Sequence, residues 1–186
     1  MNTTAVIVIA VILGIVVGAL AFYLVERRQS ESLRQRFGSE YSRTMAKTGD
    51  RWRAESALRS RAKRVEKLPI RPLDRSERVR FLDAWRGVQA RFVDDPDGTL
   101  VEADHLIGSV MSAEGYPVGD FEQRAADISV DHPRVVENYR SGHEIAMRQK
   151  QGDADTEDLR QAVIHYRTLF EELLGQPEYT ETGEIT

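Results

Sequence analysis

The chain has 186 residues, no cysteine and a formal net charge of −4. Without cysteine there is no disulfide framework and no thiolate chemistry. The modest net charge hides an asymmetry: residues 26–68 carry 13 Lys+Arg against 6 Asp+Glu, a net of +7, while residues 69–186 carry 13 against 24, a net of −11. Arginine outnumbers lysine 22 to 4, which a GC-rich genome explains without a functional reading.

After the four residues MNTT, assigned outside the membrane, residues 5–25 read AVIVIAVILGIVVGALAFYLV, a run without a charge. As a helix rising 1.5 Å per residue it spans about 31 Å, close to the roughly 30 Å hydrocarbon core of a bilayer. A lone apolar segment satisfies its backbone in lipid only as a helix. The alternative is a cleaved signal peptide, and Ala19-Leu20-Ala21 offers a small-residue site. Against that, MNTT lacks the positive start of a signal peptide, and the apolar run continues past the site through Val25. Arg27, Arg28, Arg34 and Arg36 follow the run, and the Lys/Arg bias predicts a cytoplasmic body with the N-terminus outside. Ala10, Gly14 and Gly18 recur every four residues, a small-residue stripe that lets two helices approach and would support a homodimer.

Residues 26–68 form a basic juxtamembrane helical arm, with breaks expected at Gly38 and Gly49. Leu33, Phe37, Tyr41 and Met45 stand four apart on one apolar face. A second helix over 51–68 places Trp52, Leu58, Ala62, Val65 and Leu68 on a less regular face. The cations have three readings: a solvated spacer, contact with anionic lipid headgroups, and nucleic-acid binding. The last is disfavoured, because no recognition motif accompanies them and the acidic body repels phosphate. The candidate lipid contacts are Arg27, Arg28, Arg59, Arg61, Lys63 and Arg64, and docking of the arm on the acidic body is the intramolecular alternative.

Pro69 and Pro72 mark a linker into an acidic helical body over residues 69–175. Asp74-x-x-Glu77 is a capping-box start, followed by Val79, Leu82, Trp85, Val88 and Phe92 as an expected stripe. Asp95-Pro96 opens the next helix, with Leu100, Ala103, Ile107, Val110 and Met111 inward and Gly115 as its stop. A short helix is expected over 121–128 and another from Pro133, with Val136, Tyr139, His143 and Ala146 on one face. The last carries Leu159, Val163, Tyr166, Phe170 and Leu173 and ends at Gly175. Residues 176–186 are expected to be a disordered tail. No period-two run is present, so the fold class is all-α: a single transmembrane helix, the basic arm and a small helical bundle.

The runs VQARFVDDP, GYPVGDFEQRAADISVDHPRVVENYR and TEDLRQAVIHYRTLFEELL resemble a family of bacterial proteins with one N-terminal membrane helix and a helical soluble domain. The similarity extends from about Arg36 to Leu174. It implies a bacterial inner-membrane setting and brings no activity, ligand or site residue.

No catalytic constellation stands out, so the chain reads as a non-enzyme without cofactor or metal. Glu102-x-x-His105 has the spacing of a di-iron pair but lacks its second copy, and reads as a surface pair. Asp131-His132 lacks a local nucleophile, and Asp94-Asp95-x-Asp97-Gly98 lacks the later ligands of a calcium loop. His143 reads as a hydrogen-bonded core histidine. The candidate binding surface is the GYPVGDF loop with SVDHP, where Tyr116, Phe121, Arg124 and His132 place aromatic and charged groups in loops. These features give an expected function of a membrane-tethered interaction module that positions a cytoplasmic partner. The alternative is a small-ligand sensor or carrier with a pocket between helices, and an enzyme ranks third.

Overall fold

The computed structural model describes residues 3–175, with the side chains of residues 3–11, 22 and 25 outside the description. The expected tail, 176–186, and the side chain of Ala10 in the small-residue stripe therefore lie outside the description. Eight helices and no strand occur among the described residues, which is the all-α class that the helical periodicities predict. They are α1 (Thr3–Phe37), α2 (Ser39–Thr48), α3 (Arg51–Val65), α4 (Arg75–Arg91), α5 (Pro96–Glu114), α6 (Phe121–Asp131), α7 (Val136–Gln149) and α8 (Thr156–Leu174). Two compact units divide within α3, one covering 1–59 and the other 60–186.

In the first unit α1 runs for 35 residues without interruption, until Gly38 at φ 51° ends it. Among the described residues no helix is long and apolar enough to cross a membrane. The run Ala5–Val25 falls in part on side chains outside the description, so the expected span rests on the sequence. Leu33, Phe37 and Tyr41 are buried as their spacing predicts. Glu55 of α3, itself buried, accepts from Ser30 Oγ at 2.6 Å, Tyr41 OH at 3.0 Å and Arg51 Nε at 3.0 Å. Burial pushes this carboxyl up, but the three hydrogen bonds outweigh it and hold the group below its ordinary value. Trp52 departs from expectation. It is 71% exposed, because the buried face of α3 runs through Ala54, Leu58, Ala62 and Val65, a phase that leaves position 52 outside.

In the second unit α8 packs against both α5 and α7, α4 packs on α5, and α6 on α7. Helix entries follow local chemistry. Asp74 caps α4 with a reciprocal box, Glu77 N donating to Asp74 Oδ1 at 2.8 Å and Asp74 N to Glu77 Oε2 at 3.0 Å. Asp95 caps α5 ahead of Pro96, Asp120 caps α6, and Asp155 with Asp158 boxes α8. The helix expected from Pro133 begins at Val136, since a turn of Pro133–Val135 intervenes, with Val135 N and Val136 N both donating to His132 O. On α4 the buried residues are Phe81, Trp85 and Val88, while Val79 and Leu82 face solvent, a correction to the expected stripe. The Trp85 ring stacks on Phe170 at 4.7 Å and 19°. The positive φ of Gly115, 101°, suits only glycine, and a Cβ there would lie 2.5 Å from the Pro69 carbonyl oxygen. Arg71 N donates to Glu114 O at 2.9 Å, so the linker is tied to the end of α5.

Candidate functional site

Four helices of the second unit each contribute one side chain to a buried polar cluster. Asp104 of α5 stands beside Ala103, on the margin of the apolar face. Its Oδ2 accepts from Arg124 of α6 at 2.8 Å and its Oδ1 from the hydroxyl of Tyr139 of α7 at 3.1 Å. Tyr166 of α8 lies with its ring centroid 6.0 Å from that of Tyr139, and its hydroxyl is buried without a partner. Burial, reinforced by the Asp104 carboxylate, pushes both phenols above their ordinary range and keeps them neutral. Burial opposes the charge on Arg124, but the hydrogen bond to Asp104 outweighs it and keeps the guanidinium charged. Arg124 also stands 5.8 Å from the centre of the Tyr139 ring.

Phe121, the first residue of α6, extends the cluster. Its ring tilts on Tyr139 at 4.8 Å and stacks on His143 at 3.5 Å and 6°. Burial lowers the His143 pKa, so the imidazole is neutral at physiological pH. His143 also lines a cleft of about 340 Å³ between α5, α7 and α8, together with Leu100, Val101, Asp104, Ala146 and Tyr166. Asp97, His105 and Lys150 stand exposed at the same cleft. Gln149 donates from Nε2 to Asp97 Oδ1 at 2.7 Å, while its Oε1 is buried without a partner. Among the described residues no group of three or more acidic or imidazole side chains could hold a metal, and no nucleophile stands against the imidazole.

The four expected loop residues separate into different roles. Phe121 and Arg124 join the cluster. Tyr116 is a packing residue, 3% exposed, its hydroxyl donating to Asp131 Oδ2 at 2.8 Å. The chain folds it inward after Gly115. His132 ends α6 and places Nδ1 3.3 Å from Glu172 Oε1 on α8. Glu102 pairs with Arg91, apart from His105.

Of the arm residues, Arg27 lies 3.3 Å from Glu31, and Arg28 and Lys63 are exposed. Arg59 stands 3.7 Å from Glu55. Arg61 donates to Ser129 Oγ at 3.0 Å, and Arg64 donates to Asp127 from Nε at 3.0 Å and from its terminal nitrogen. Arg61 and Arg64 are therefore engaged with α6 in this structure. Gly14 and Gly18 are exposed, with open space around both. Asp104, Tyr139 and Tyr166 were not among the expected site residues. The signal for Asp104 was an acid adjoining the Ala103–Ile107 stripe, and for the tyrosines two hydroxyls within otherwise apolar stripes.

No family model, no curated protein and no solved structure matches the chain.

Proposed function

We propose that the chain is a membrane-tethered helical module whose body positions a cytoplasmic partner at a bacterial inner membrane. One observation carries the tether. Ile12, Leu13, Ile15, Val16, Val17 and Leu20 of α1 are each more than half exposed. At 100° per residue they point around most of the helix, and the remaining face holds Gly14, Gly18 and Ala21. An apolar surface of that kind is unfavourable in water, and lipid is the medium that covers it. The small-residue face is where a second α1 would pack in a homodimer. The arginines after Val25 orient the helix with the body in the cytoplasm, and the basic arm adds attraction to anionic headgroups. Partner docking is supported by α4, where exposed Val79 and Leu82 stand beside Arg75, Arg80 and Asp83.

A reporter fused at the C-terminus of the full chain tests the tether: activity confined to the cytoplasm is expected, and periplasmic activity overturns the orientation. A crosslinked pull-down from intact membranes tests the partner, which Val79→Glu with Leu82→Glu should abolish. Partner capture unchanged by that double variant refutes α4 as the docking face.

A second reading, a small-ligand sensor or carrier, is favoured by the cleft between α5, α7 and α8. Its volume lies in the range of ligand pockets, and several polar groups converge on it.

A further inference from the structure

We infer that the turn between α2 and α3 is a second membrane contact, with the Trp52 ring seated among the lipid headgroups beside the point where α1 leaves the bilayer. The inference rests on the tether reading.

The apolar run of α1 ends at Val25, and the helix continues without interruption to Phe37. The start of α3 lies against that continuation. Glu55 accepts from Ser30 Oγ at 2.6 Å, and the Arg51 guanidinium donates to the same hydroxyl. Arg51 also lines one pocket with Tyr23, Glu26 and Arg27. Ser30 stands five residues past Val25, a rise of about 7.5 Å. The headgroup layer on each side of the hydrocarbon core is about 5–8 Å deep. With Val25 at the edge of the core, α3 therefore begins at headgroup height.

Trp52 follows Arg51 and is 71% exposed. A single exposed apolar side chain ordinarily needs no explanation. Here its height supplies one, because indole joins an apolar body to an N–H donor and suits the boundary between lipid and water. The backbone holds the ring in place. Gly49 at φ 66° ends α2, and Asp50 Oδ1 accepts from Arg53 N at 2.7 Å to open α3. Lys47 and Arg53, both exposed, flank the ring, and long basic side chains at this height reach lipid phosphate. Lipid is the occupant because the surface is continuous with that of α1. Exposed Tyr23 and Leu24 carry the apolar face of α1 up to the level of Arg51.

The test uses the full chain reconstituted in zwitterionic phosphatidylcholine vesicles and read by tryptophan fluorescence. Trp85, the other tryptophan, is buried in the second unit, so subtracting the spectrum of Trp52→Phe leaves the emission of Trp52. Position 52 is exposed, so the variant keeps its fold. Lipids brominated near the ester end of the acyl chain should quench that emission by more than half, and lipids brominated near the methyl end by much less. Aqueous acrylamide should quench it several-fold less than it quenches free tryptophan. A chain that resists carbonate extraction while its Trp52 is open to acrylamide and untouched by brominated lipid keeps the tether and overturns the inference. Shielding from acrylamide without quenching by brominated lipid also overturns it, since a protein surface then covers the ring. Release of the chain by carbonate ends the tether reading, and the inference with it.

Discussion

Asp104 holds two helices with its two oxygens, Arg124 of α6 through one and Tyr139 of α7 through the other. Removing one member of a buried pair leaves the other charge uncompensated, which costs about 3–5 kcal/mol. Asp104→Ala should therefore lower stability by about 3 kcal/mol in a denaturant melt, since both side chains keep some solvent. The double variant Asp104→Leu with Arg124→Met should recover most of that loss, because neither charge is then buried alone. Additive losses would refute the coupling. Glu114 gives the pH dependence. Burial, with Asp131 adding to it against Arg78 and Arg71, pushes its carboxyl from the ordinary 4.5 up to about 7, and its Oε2 has no partner. An acid whose folded pKa is raised contributes stability in full below its unfolded value and loses it as pH rises through the folded one. Stability should fall by up to about 3 kcal/mol between pH 4.5 and above 7 from this group. Glu114→Gln should flatten that part of the profile, and an unchanged profile would remove Glu114 as its source. These residues show where sequence reading stopped. Tyr116 and Phe121 stand in the same loop-like stretch, yet one is buried by the turn after Gly115 and the other meets His143 and Tyr139 from other helices. No local spacing encodes that meeting.

Caps and glycine stops were legible at the scale of the element, because their chemistry is local. Asp74-x-x-Glu77, Asp95-Pro96 and Gly115 stand in the structure as their spacing predicts. The phase of α4 was less legible. Its sequence offers Val79, Leu82, Phe81, Trp85 and Val88 around more than one face, and packing on α5 selects the set that includes Phe81. Trp85 belongs to both the expected and the observed face and stacks on Phe170. Trp85→Ala should cost roughly 3–5 kcal/mol through the lost contacts and the cavity, whereas Leu82→Ala, at an exposed site, should stay within about 0.5 kcal/mol. Equal effects of the two changes would contradict the observed phase.

For the whole molecule, the charge asymmetry between arm and body was plain in the sequence, but its use was not, because composition does not say which cations are already paired. Within the unit from Ser60 onward, Arg61 and Arg64 bind Ser129 and Asp127, two fully buried residues of α6. Asp127 also accepts from Gln123 at 2.8 Å, so it keeps one donor when Arg64 is lost. Arg64 is nearly half exposed, so solvent screens the pair, and Arg64→Gln should cost about 1 kcal/mol rather than the 3–5 of a dry pair. Arg27, Arg28 and Lys63 are exposed. Near an anionic surface each basic residue gains about 1 kcal/mol, screened over about 8 Å at physiological ionic strength. The two groups should then separate in experiment. Arg61→Gln with Arg64→Gln should lower the melting temperature of the full chain equally in neutral and anionic bilayers. Arg27→Gln, Arg28→Gln and Lys63→Gln together should leave the melt in neutral bilayers unchanged. They should remove the extra stability that anionic lipid confers, in a salt-dependent way. If the first pair of changes instead acts only in anionic bilayers, Arg61 and Arg64 leave α6 for the membrane, and the arm exchanges its contacts on the body for lipid when such lipid is present.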